Sequence, residues 1–109
     1  AAADAARTAA GIDPTSVEAV QDWAQAESAL GNNAQAYDLY LKATRMQPQN
    51  AETWIALGKF EYGTLRNPCT AYDAFNRAYT LDRYGEVGAP GSLLVVTRRY
   101  RNEPSHPCG

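Results

Sequence analysis

Small, apolar and aromatic residues recur along this chain at spacings of three and four, the period of helices that bury one face. Val17, Val20, Trp23, Ala24 and Leu30 make one stripe, and Ala36, Tyr37, Tyr40, Leu41, Ala43 and Thr44 make a second. Trp54, Ile55, Leu57, Gly58 and Phe60 make a third, and Ala71, Phe75 and Ala78 a fourth. The punctuation between stripes is that of helix ends. Thr15 with Glu18 reads as a capping box, Gly31 as a break, and Asn32 with Gln35 as the next cap. Pro48 stops the second stripe, and Lys42 and Arg45 sit in its last turns, where positive charge complements the helix dipole. Asn50 caps the third, Gly63 begins its end, and Asn67-Pro68 places a cap and then a proline where a missing N–H costs nothing. The pattern predicts four antiparallel helices near 16–30, 34–46, 51–62 and 68–81, with a further helix at 2–10.

The second and fourth stripes are nearly one phrase written twice. Ala36, Tyr37, Asp38, Tyr40 and Ala43 return 35 residues later as Ala71, Tyr72, Asp73, Phe75 and Ala78. Similarity at a fixed period of a few tens of residues marks a stacked-repeat architecture. Residues 51–85 resemble the tetratricopeptide repeat on Trp54, Leu57 and Gly58, followed by Ala71, Phe75 and Ala78. Two features depart from that family's pattern. Glu61 stands where a tyrosine is usual, flanked by Phe60 and Tyr62, and one residue is inserted between Leu65 and Pro68. Residues 17–50 match in their second half, through Ala36, Tyr40, Ala43 and Pro48. Their first half is degenerate, with Val20, Trp23 and Ala24 in place of Trp, Leu and Gly. Ala2, Ala6, Ala9 and Pro14 fit the second helix of an earlier unit. The fold expected is therefore all-α, with about two and a half tetratricopeptide-like units over 1–85 (1–16, 17–50 and 51–85). Small residues at Ala36, Ala43, Gly58, Ala71 and Ala78 let helices approach, and Tyr40, Trp54 and Phe75 fill the gaps.

Residues 86–109 read as a C-terminal capping helix or tail. Leu93, Val96 and Tyr100 lie at helical spacing with Arg98, Arg99 and Arg101 behind them, although four branched residues in a row also permit a strand. The two cysteines, Cys69 and Cys108, read either as reduced thiols or as one disulfide, the latter requiring an oxidising compartment. The bridge reading carries with it an extracytoplasmic location.

Charge narrows the list of partners. The net −2 divides into −3 over residues 1–50, zero over 51–85 and +1 over 86–109, so no strongly basic face is available to nucleic acid. The longest apolar run, Leu93 to Val96, is far short of the ~20 residues of a membrane span. The opening "AAADAARTAAG" already reads as helix and is expected to continue an upstream part of a larger protein.

Candidate chemistry is sparse. His106, Cys108 and Cys69 would supply three zinc ligands where a structural site takes four. A Cys69 nucleophile needs a nearby base, and His106, the single histidine, lies in the tail. No phosphate-cradling glycine loop is present. Glu18, Asp22, Glu52 and Glu61 read as cap and solvated-face residues. No catalytic, cofactor or metal site is expected. What the resemblance implies is binding: first helices of successive tetratricopeptide units line a groove for extended peptides or partner helices. The positions it indicates are Glu18, Gln21, Gln25 and Ser28, then Glu52, Ile55, Lys59 and Tyr62, with plain exposed helix positions as the alternative.

The phrases "DPTSVEAV", "ETWIALGKFEY" and "NPCTAYDAFNRAYTLDRYG" also resemble the soluble C-terminal repeat regions of O-antigen ligase or polymerase-type bacterial membrane proteins. That resemblance implies an interaction or scaffold module within an envelope glycan enzyme. The partner expected is a protein or peptide, or the rest of the parent. A structural alternative makes the units a cap that binds its parent or a second copy through the open edge of Ala2, Ala6 and Ala9.

Overall fold

Ser16 sets the first helix. Its backbone is extended, and its hydroxyl accepts a hydrogen bond from the Ala19 N–H at 3.2 Å, so it is the N-cap of α1 (Val17–Ala29). The cap thus falls one residue later than the expected Thr15–Glu18 box, because starting the helix at Val17 turns Val17, Val20 and Ala24 inward together. In the computed structural model of the chain, the structure describes residues 16–82 and Thr97. Three further helices follow: α2 (Asn33–Met46), α3 (Ala51–Gly63) and α4 (Pro68–Leu81). All four lie within a residue of the boundaries the periodicity predicts, and no strand occurs among the described residues. The architecture is all-α helical repeat. The expected helix at 2–10 and the open edge of Ala2, Ala6 and Ala9 lie outside the described residues. So does the tail, apart from Thr97, which is helical and fully buried.

The chain divides into two compact units, Ala1–Pro48 and Gln49–Gly109. Among the described residues each contains one helical hairpin, α1 on α2 and α3 on α4. The first hairpin closes on Gly31 (φ +83), a left-handed conformation that costs an L side chain about 1–2 kcal/mol. The Gly31 N–H donates to the Ser28 carbonyl and the Asn32 N–H to the Glu27 carbonyl. That pair of bonds is a Schellman ending, which satisfies carbonyls the helix leaves open. The second hairpin has the inserted residue. Its left-handed position is Arg66 (φ 54), not Gly63, and the turn is tied by Asn67 N–H to the Glu61 carbonyl at 2.8 Å.

Each hairpin has its own core. In the first, Val17, Val20, Ala24, Leu39 and Ala43 are buried, with Trp23, Tyr40 and Met46 packed against them. Leu39 takes the inward place expected for Leu41, which is half-buried. Leu30 is 61% exposed, because it is the C-cap and lies past the last residue that follows the helical stripe. In the second, Ile55, Ala71, Phe75 and Ala78 form the core, bordered by Trp54, Tyr62, Tyr72 and Tyr79. The Arg77 guanidinium lies 5.8 Å from the centre of the Trp54 ring, within range of a cation–π attraction.

Candidate functional site

The eight groove positions occupy the same stripe on two helices. On α1, Glu18 and Gln25 are exposed, while Gln21 and Ser28 are half-buried. The Gln21 Nε2 is enclosed with no hydrogen-bond acceptor. On α3, Glu52 and Lys59 are exposed and Tyr62 is half-buried. Ile55 does not belong with them. It is 7% exposed and packs on Ala71, Phe75 and Ala78, so it serves the core of its hairpin and offers no surface. The physical reason is its β-branched side chain beside the small residues of α4, where burial is worth roughly 1.5–3 kcal/mol.

A cavity of about 360 Å³ opens at the end of α3, with Tyr62, Gly63, Arg66 and Pro68 among its walls. It offers a phenol, a proline ring and a guanidinium, a mixture that suits an apolar side chain next to an acidic group. Arg66 and Pro68 were not among the expected site residues. The inserted residue between Leu65 and Pro68 was their signal in the sequence, since a longer turn displaces the chain from the usual path.

Among the described residues two acidic side chains, Glu27 and Glu61, are buried. Glu27 is 2% exposed and Glu61 3%. They are 34 residues apart and fall at the same place in each hairpin, three residues after Ala24 and Gly58 respectively. The expectation that Glu61 lies on a solvated face is therefore corrected. It follows Gly58 on the face that meets α4, and the tyrosine position it fills is an inward one. Glu27 accepts hydrogen bonds from Trp23 Nε1 at 3.2 Å and Asn32 Nδ2 at 2.8 Å. Asn32 was expected to cap α2 with its side chain; it makes no such bond, because its amide is engaged by Glu27. At Glu61, burial pushes the carboxyl above its ordinary value, the Thr70 hydroxyl draws it back down, and the negative charge of Asp73 pushes it up again.

No group of three or more metal-binding side chains occurs among the described residues, and none of their helices is long and apolar enough to cross a membrane. His106 and Cys108 lie outside the described residues. Cys69, in the first turn of α4, is disulfide-bonded.

Repeated antiparallel hairpins define an all-α helical-repeat fold. Residues 17–60 match the family model of the tetratricopeptide repeat, which supports a tetratricopeptide repeat domain here. Such repeats generally mediate protein–protein interaction and are generally non-catalytic. No curated protein matches the chain.

Proposed function

We propose that this chain is a non-catalytic protein-interaction module that binds an extended peptide or a partner helix through the exposed helix positions of its hairpins, on α1 in the first and on α3 in the second. The observation that carries the reading is the tetratricopeptide match over residues 17–60, which spans those positions except Tyr62. Glu18, Gln21, Gln25 and Ser28 serve on α1, and Glu52, Lys59 and Tyr62 on α3. The cavity beside Tyr62 supports it, because a side chain anchored there gives a peptide register as well as affinity. Peptides selected from a random display library on the folded protein test it. Binding is expected to fall at least tenfold in Lys59→Ala and Tyr62→Ala. Selected peptides that bind both variants as well as the parent chain would refute the site.

The finer reading places the module at the C-terminal end of a larger envelope glycan ligase or polymerase-like membrane protein, outside the cytoplasm. Its supports are the phrase resemblance and the bonded state of Cys69, for which Cys108, the other cysteine of the chain, is the proposed intramolecular partner. The gene's full reading frame tests the parent: a frame without membrane-spanning segments upstream refutes it.

A further inference from the structure

The two hairpins carry the same buried acid, but they equip it differently. In the first, Trp23 and Asn32 both donate to Glu27. In the second, the place of Trp23 is taken by Leu57, which has no donor. The N-cap asparagine is retained as Asn67, yet its side-chain oxygen accepts from the Thr70 N–H at 3.3 Å and so is spent on capping α4. The linker explains the change. Three residues separate α1 from α2 and four separate α3 from α4, so the asparagine of the longer turn stands differently to the acid. Glu61 has consequently lost both donors that serve its counterpart. Its Oε1 is buried with no hydrogen-bond partner.

An ionised carboxylate with an orphaned oxygen in a protein interior is among the costliest arrangements a fold can hold, and a proton removes the cost. Among the described residues, the groups acting on Glu61 are the Asp73 carboxylate on α4, which is negative, and the Thr70 hydroxyl, a single neutral donor. We infer that Glu61 takes up a proton from solvent as the α3–α4 hairpin forms, making this hairpin an acid-favoured element whose stability declines as the medium becomes alkaline.

The direction of the effect follows from linkage. Burial raises the Glu61 carboxyl above 4.5 in the folded chain, so the folded state binds the proton more tightly than the unfolded state. The stabilisation is fully present below 4.5 and is lost as pH rises through the raised folded value. Ordinary paired carboxylates behave oppositely, losing stability as pH falls.

A carboxyl carbon-13 titration of the full chain, with Glu61 assigned through the backbone and checked against Glu61→Gln, reads the proton directly. The expected midpoint for Glu61 lies above 4.5. A midpoint at or below that value overturns the inference. Thermal unfolding gives an independent reading. From pH 7.5 down to pH 4.5, the midpoint of the parent chain is expected to rise relative to that of Glu61→Gln, which carries a permanently neutral amide. Parallel pH dependence in the two proteins also overturns it. If Glu61→Gln fails to fold, the titration of the parent chain alone decides.

Discussion

Gly58 and Phe75 show how much of this fold depends on single atoms. A Cβ built on Gly58 would lie 2.6 Å from Phe75 Cε1 and 2.8 Å from Cδ1. The ring is fully buried and has no room to withdraw. In the first hairpin the corresponding positions hold Ala24, which is buried, and Tyr40, which is only half-buried. Gly58→Ala should therefore destabilise the protein by about 1–2 kcal/mol, overpacking outweighing the ~1 kcal/mol that alanine gains as a helix former. Urea unfolding checks the value, and a neutral or stabilising result would mean that α3 and α4 separate easily. Glu27 offers a second residue-scale test. Glu27→Ala removes the acceptor of Trp23 Nε1 and of Asn32 Nδ2 together, and is expected to cost about 2–3 kcal/mol with the loss of charged hydrogen bonds. Asn32→Ala should cost less, because Trp23 still serves the carboxylate.

At the scale of elements, helix ends decide how each hairpin turns. Ser16 and Asn50 each accept from a backbone N–H of the following first turn, and replacing Ser16 by alanine is expected to cost about 1 kcal/mol. The second turn contains an avoidable strain. Arg66 holds φ 54 with an ordinary side chain, whereas the first hairpin uses a glycine at its left-handed position. Arg66→Gly should stabilise the chain by about 0.5–1 kcal/mol, relief of strain exceeding the extra freedom glycine gives the unfolded chain. The same substitution removes a wall of the cavity beside Tyr62, so peptide binding at that cavity should weaken while stability rises. Opposite movement of stability and binding in one variant separates a functional residue from a structural one. A variant that loses both would show that Arg66 holds the turn through its side chain.

For the molecule as a whole, a short helical-repeat array gains little from stacking, since each unit of such an array is stabilised by its neighbours. A covalent link is then worth a large share of the total. A Cys69–Cys108 bridge would close a loop of about 40 residues and contribute roughly 3–4 kcal/mol by the chain-entropy account. Reduction under native conditions should lower the unfolding midpoint strongly, and intact mass should rise by the two hydrogens of a reduced bridge. An unchanged mass in protein prepared without reductant would show two free thiols and remove the argument for an oxidising compartment. Pairing of two copies through Ala2, Ala6 and Ala9 is testable by sedimentation across concentrations, with a monomer throughout counting against it.

Helix existence and boundaries were legible in the chain because they are local. Period, caps and breakers act over three or four residues, and Gly31, Asn50 and Asn67-Pro68 mark the ends where the structure has them. The all-α repeat was legible for a related reason, since Ala36, Tyr40 and Ala43 recur as Ala71, Phe75 and Ala78. The groove was legible only as a stripe, because exposure depends on what each residue meets across the hairpin; Ile55 has the spacing of its neighbours but faces Phe75. Tertiary structure alone decided the fate of Glu27 and Glu61. A glutamate reads as solvated wherever it stands in a helix; at Glu61 the repeat register, with tyrosine usual at that place, was the one sign of an inward position, and Glu27 had none. Only the closing of each hairpin, with a turn of three residues in one and four in the other, determined that both acids lie inside. The same closure determined that Asn32 serves the first of them while Asn67 caps a helix and leaves Glu61 without an amide donor.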